Sequence, residues 1–408
     1  LISLLRDFSS NAFCTGLAFA LGFVNQALLF RELGPAGRGR LGIIATAVVV
    51  GTLVLGEWLS RGNTYVTGKQ GRAPDAMASS FVYVAGLALL LAVLALGASE
   101  LVSLGQLSRT DCLFVALLVA AVIAQRAVQG VLLGQDLQLR YALIPLILVA
   151  LYLGGNAVAL LLFRSGLGGV LLAWSVAACL ATVAGVLMVG RMRSGRPSAS
   201  LLHTTAVVGG RGALSATIIY LLFRSDVFLV DHFLGKTQVG IYFACVVIAE
   251  MIQRIPNLAG VVLLPKVQSG ADDDHTITLA VARRVLAGFL PIAVVVVVAG
   301  KELIGVLGGP EYAAAYSPLL LMLPGLMATG FGSVLNTKLA GEGYPPLTIW
   351  AAAAALTANV LLNIALIPTL GLDGAAISTS VAYILWAAIV TIGFRRRTGV
   401  AWRRFLTG

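Results

Sequence analysis

Leu221–Tyr242 reads LLFRSDVFLVDHFLGKTQVGIY. Arg224, Asp226 and Asp231 stand in an otherwise apolar run, and the stretch closes on LGKTQVG, Leu234–Gly240. A near copy of that motif, LGPAGRG, occupies Leu33–Gly39: Leu-Gly, four residues, Gly, at an offset of 201. A second pair recurs at almost the same interval. GLGGVLLAWSVA from Gly166 and GLDGAAISTSVA from Gly371 share Gly-Leu-x-Gly and then Ser-Val-Ala, at an offset of 205. Two matches at about half the chain length mark an internal repeat.

The composition says what is repeated. The 408 residues are 59% hydrophobic and 11% charged, against about 25% charged in a soluble domain. Apolar runs of about 17–25 residues predict membrane-spanning helices and not barrel strands. Twelve spans follow, near 12–30, 41–59, 81–98, 112–133, 142–163, 168–190, 206–233, 239–262, 285–306, 318–339, 347–368 and 374–394. The 46 Gly suit close helix packing in lipid. Each half carries six spans, an even number, so both halves enter the membrane the same way. That is a parallel repeat about the membrane normal. The predicted fold is an all-α membrane protein of two six-helix bundles, 1–197 and 198–408, around a central cleft suited to rocking transport.

Lys and Arg predict the orientation. With both termini in the cytoplasm, 18 of the 28 basic residues fall on that side and 8 outside, the bias expected of a cell-membrane protein. Loop 31–40, with Arg31, Arg38 and Arg40 outside, runs against it. The net charge of +11 is read as topology and lipid contact, with no nucleic acid implied. The C-terminal RRRTGVAWRRF, Arg395–Phe405, is expected on the cytoplasmic membrane surface. Cys14, Cys112, Cys179 and Cys245 stand alone in separate runs and read as small buried hydrophobes. Three scattered His give no metal site. No phosphate-binding Gly-rich loop occurs, and no cofactor is expected.

Charge inside a span costs about 2.5–3.5 kcal/mol on insertion scales and normally faces a protein interior or a wet cavity. Glu57 and Arg61, like Glu250 and Arg254, are four apart and share a helix face. They form either a polar stripe in each half or two self-contained ion pairs. Arg126 has no acid nearby on its own helix, so it needs a partner from another helix or an anionic ligand. Arg224 and Asp226 are two apart and point to different sides; Arg224 reads as cleft-facing, and Asp231 as solvated near the helix end. Pro256, just beyond Arg254, removes a backbone donor.

The stretch NVLLNIALIPTLGLDGAAISTSVAY, Asn359–Tyr383, resembles the penultimate and last helices of polysaccharide-type flippases. These belong to the multidrug/oligosaccharidyl-lipid/polysaccharide exporter superfamily. RSDVFLVDHFLGKTQVGIYFACVVIAE is similar to their seventh and eighth helices, LGPAGRGRLG to the end of their first, and GGPEYAAAY, Gly308–Tyr316, to an outer loop. The resemblance implies movement of a polyprenyl-diphosphate-linked oligosaccharide from the cytoplasmic to the outer leaflet by alternating access. It implies partnership with membrane lipid, polysaccharide assembly enzymes and a coupling ion, proton or sodium. On that reading Arg61, Arg126, Arg224 and Arg254 engage the diphosphate, because guanidinium forks match phosphate oxygens. Asn25, Asn359 and Asn363 serve sugar hydroxyls, with interhelical hydrogen bonding as the alternative. Glu57, Asp226 and Glu250 relay charge or couple transport. A drug or cation antiporter of the same superfamily is the second reading; it would want an acidic cleft. A membrane enzyme lacks the long extramembrane loop it would usually need, and a non-transporting scaffold leaves the buried charges unexplained.

Overall fold

The computed structural model describes residues 2–97, 108–190, 195–268, 272, 275–341 and 345–406. Arg191 and Arg193, two of the 18 basic residues placed on the cytoplasmic side, and residue 98 of the third predicted span lie outside them. Lipid offers no hydrogen bonds to a backbone, so apolar runs of this length close their own hydrogen bonds as helices. The described residues form twelve long helices and no strands.

Ile2–Gln70 is broken at Gly34 into α1 (2–33) and α2 (35–70). Then come α3 (Ala73–Gly97), α4 (Arg109–Gly134), α5 (Gln138–Ala157, running into a π turn at Val158–Leu162) and α6 (Gly166–Val189). The second half holds α7 (Ala199–Leu234), α8 (Lys236–Gln268), α9 (Thr276–Gly308) and, after a 3₁₀ turn at Pro310–Ala315, α10 (Tyr316–Gly341). Pro346–Thr398 breaks at Gly371 into α11 (346–370) and α12 (372–398), and a short α13 (Arg403–Leu406) ends the described chain. Nine helical stretches among the described residues are long and apolar enough to cross a membrane, two of them the broken double-length ones. Leu162, Phe163, Leu187, Val298 and Trp350 are more than 70% exposed, which suits surfaces facing lipid and not water. The chain is a multi-pass membrane protein.

The repeat is written into the backbone. Gly34 and its counterpart Gly235 have φ of 63° and 82°, and Gly166 and Gly371 have φ of 57° and 60°. A side chain is strained at such angles, so Gly stands at both copies of each turn.

Helices outrun the predicted spans where polar residues find partners. The apolar window of α2 stops at Leu59, but the helix continues through RGNTYVTGKQ to Gln70. Buried Asn63 donates to Ser80 Oγ (2.9 Å) and the Ala127 carbonyl (3.2 Å), and Thr64 donates to the Gly130 carbonyl (3.1 Å). α4 opens on a capping box between Ser108 and Asp111. α8 runs helical through Pro256. All four cysteines are free, but only Cys14 and Cys245 are buried. Cys112 is partly exposed and Cys179 exposed; an apolar residue in a span is as well satisfied facing lipid as facing protein.

The chain gathers into two compact units. One is Leu1–Leu33 with Ile44–Thr217, the other Gly34–Ile43 with Ile218–Gly408. The second unit takes up α7 from Ile218 on, and the start of α7 lies on α2. A Cβ on Gly209 would run into the Trp58 carbonyl, and one on Gly62 into the Thr205 carbonyl. The core of the first unit includes Val66, Met77, Val128, Leu132, Ile144 and Ala181.

Candidate functional site

In the first unit the charges centre on Glu57. Its residue is 7% exposed. Oε1 accepts from Arg61 Nε at 3.0 Å along α2, and Oε2 accepts from Arg126 Nη1 at 2.7 Å across from α4. The Arg126 partner is thus an acid on another helix, 69 residues away in sequence. Two guanidiniums on one carboxylate leave the cluster with a net charge of +1. The Arg side chains remain 41% and 39% exposed, so they keep N–H donors for an anion. Gly212 of α7 makes room for them: a Cβ there would lie 2.9 Å from Arg61 Cδ.

In the second unit a cavity of about 420 Å³ opens among α7, α8, α10 and α12. Arg224, Glu250, Gln253, Arg254, Asn336 and Trp386 line it, with Tyr220 and Tyr383. Arg224, nearly buried, donates through Nη2 to the Glu250 carboxylate, and its guanidinium lies 5.5 Å from the Phe243 ring. Arg254 and Glu250 are both exposed. Gln253 is held by the Thr329 hydroxyl and the Leu326 carbonyl. Three lining residues carry a buried polar atom with no partner among the described residues: Arg224 Nη1, Trp386 Nε1 and Asn336 Oδ1. A buried donor or acceptor left unmet costs roughly 1–3 kcal/mol. The lining therefore suits a ligand that brings both acceptors and donors.

Asp226 goes elsewhere. It is 2% exposed and accepts from the Tyr242 hydroxyl (2.6 Å), Thr379 Oγ1 (3.2 Å) and the Val227 amide (2.9 Å). All three donors are neutral. Asp231 is half-buried near the end of α7.

The three asparagines are buried, and two of them bond a neighbouring helix. Asn25, 4% exposed, accepts from Asn156 Nδ2 at 2.8 Å. Asn359 and Asn363, fully buried, share the Asn359 carbonyl oxygen Oδ1, which accepts from Asn363 Nδ2 (2.9 Å) and from the Ser225 hydroxyl (3.1 Å). None of the three lines the 420 Å³ cavity. Sequence reasoning passed over Gln253, Tyr220, Tyr383 and Trp386 in the cavity, and Tyr242 and Thr379 around Asp226. Position held a signal for one of them: Gln253 lies three residues from Glu250, on the same helix face.

No family model and no curated protein matches the chain by sequence. Solved structures match its fold. A multidrug resistance MATE transporter of the MOP superfamily, in an inward-facing conformation, aligns with a TM-score of 0.78 at 15% identity, over 93% of this chain and 94% of its own. The lipid II flippase MurJ, inward closed, gives 0.80 at 13% identity, over 97% and 89%. A MOP superfamily transporter from Pyrococcus furiosus, described by the reverse polarity of its binding pocket, gives 0.68 at 14% identity, over 97% and 96%. At these identities the likeness is one of fold. The chain has the all-helical fold of the MOP superfamily transporters.

Proposed function

We propose that the protein is a flippase, not an enzyme, and that it moves a polyprenyl-diphosphate-linked oligosaccharide between leaflets by alternating access. The observation that carries this reading is the sign and polarity of the charged clusters. The cavity of the second unit is lined by Arg224 and Arg254 against one acid, Glu250, with amide and aromatic side chains around them. The Glu57 cluster repeats the balance of two Arg to one Glu in the first unit. Guanidinium forks hold diphosphate oxygens, and amides with aromatic faces suit a sugar. MurJ, of the same fold, is a lipid II flippase.

MATE neighbours keep the second reading, a drug or cation antiporter, in play. Positive lining disfavours a cationic cargo. Coupling falls to Asp226: a buried carboxylate whose hydrogen-bond donors among the described residues are neutral is able to take up a proton or a sodium ion. A direct binding test separates the two cargoes. Purified protein titrated with a polyprenyl diphosphate should bind it, and Arg224→Ala should weaken that binding, while a lipophilic cation such as tetraphenylphosphonium should not compete. Tight cation binding with none of the diphosphate would reverse the assignment.

A further inference from the structure

The C-terminal basic stretch is built into the fold. α12 ends on Arg395, Arg396 and Arg397, and Gly399, at φ 71°, turns the chain back. Thr398 Oγ1 donates to the Phe394 carbonyl at 2.8 Å and fixes the turn. Val400 and Phe405 are then buried. The Phe405 ring meets Phe394 at 6.1 Å, Phe331 at 6.4 Å and Trp402 at 5.5 Å. Arg283 Nη1 on α9 donates to the Arg404 carbonyl at 3.2 Å, and the Arg395 guanidinium lies 4.8 Å from the Trp402 ring. The tail is therefore held against α9, α10 and α12, by Arg283 and Arg395 among others.

Among the described residues, what this leaves outward is arginine and one large aromatic; Glu342, between α10 and α11, lies outside them. Arg284, Arg396, Arg397, Arg403 and Arg404 are exposed, and Trp402 is 48% exposed. Neither 276–290 nor 392–406 contains an acidic residue. Of the acids just before α9, Asp272 is fully buried, taken up by Lys338 and the Thr278 hydroxyl. Asp273 and Asp274 lie outside the described residues, and seven Arg outnumber them.

We propose that this folded-back tail and the start of α9 form a docking site for anionic phospholipid headgroups, in the leaflet at which α12 ends. Exposed guanidiniums supply the phosphate contacts, and Trp402 sits at headgroup depth, where an amphipathic ring is favoured. A loose basic tail would serve topology alone. Holding Val400 and Phe405 in the protein fixes the Arg side chains as one surface instead.

The test uses the full chain in a neutral detergent, titrated with phosphatidylglycerol or phosphatidylcholine. Native mass spectrometry counts bound lipid, and thermal unfolding reads its effect. Phosphatidylglycerol should bind at least about tenfold tighter than phosphatidylcholine and raise the melting temperature. The quadruple variant Arg396→Gln, Arg397→Gln, Arg403→Gln, Arg404→Gln should lose that preference. If the quadruple variant does not fold, Arg396→Gln with Arg397→Gln and, separately, Arg284→Gln should each lower the preference. Equal binding of the two lipids, or a preference that survives in every variant, overturns the proposal. So does binding of a soluble acidic peptide at concentrations where phosphatidylglycerol has no effect, which would make the partner a protein.

Discussion

Gly39 and Gly240 meet backbone to backbone, and the contact is reciprocal. A Cβ on Gly39 would run into the Lys236 carbonyl, and one on Gly240 into the Pro35 carbonyl. At the repeat offset of 201, Gly39 corresponds to Gly240 and Pro35 to Lys236. Each copy of the Leu-Gly-x-x-x-x-Gly motif thus offers the same atoms to the other, as a two-fold relation between the copies requires.

Such an approach leaves no room for a methyl group. Gly240→Ala should destabilise by about 2 kcal/mol or more, because the obstacle is backbone and cannot rotate away. Gly210 has nothing within 4 Å of a built Cβ, so Gly210→Ala should be neutral or slightly stabilising. Thermal unfolding in detergent compares the two. Equal melting points would mean that the helices part at little cost.

The Asn25–Asn156 bond spans α1 and α5 inside the first unit. Its loss should act on stability and not on cargo. Asn25→Ala is expected to cost about 1 kcal/mol, the usual scale for an interhelical hydrogen bond in a membrane. The apparent cargo affinity should stay at the wild-type value. A large affinity loss with unchanged melting would place Asn25 in the binding site.

The fold was legible because its two strongest signals are physical necessities. Apolar runs of span length must be helices in lipid, and the repeated glycines at 34, 235, 166 and 371 all carry φ values that a side chain resists. Charge was legible for the same kind of reason: Arg224 and Asp226 stand out in a greasy run because burial there is costly. Partners were less so. Arg126 finds Glu57 across 69 residues, and no local spacing announces that. Trp386 and Tyr383 are ordinary residues for a span, so nothing in α12 marks them as cavity lining. The asparagines keep both readings. Asn25, Asn359 and Asn363 have the chemistry of sugar contacts; Asn25 and Asn359 also bond neighbouring helices, through Asn156 and Ser225, while Asn363 bonds within its own helix. The end of α2 beyond Leu59 escaped the hydropathy window because Asn63 and Thr64 are polar and nonetheless packed.

Asp226 should separate coupling from translocation. Asp226→Asn keeps the shape and the Tyr242 and Thr379 neighbours but removes the charge. Flipping by this variant in proteoliposomes should become insensitive to an imposed sodium or proton gradient, whereas the wild type responds to one of them. A gradient response that persists in Asp226→Asn would place coupling elsewhere.

If guanidinium groups carry a diphosphate-linked cargo across the membrane, replacing Arg254 in the cavity of the second unit should slow its transfer. The measurement is the flipping rate of a fluorescent polyprenyl-diphosphate oligosaccharide in proteoliposomes, at matched protein level. The wild type should move it. Arg254→Ala should lower the rate at least about tenfold, the effect of one charged hydrogen-bonded contact, and Arg254→Lys should recover it only in part, because Lys keeps the charge without the fork. Flipping by Arg254→Ala at the wild-type rate, or a wild type that exports a cationic dye and leaves the lipid-linked sugar in place, would contradict the account.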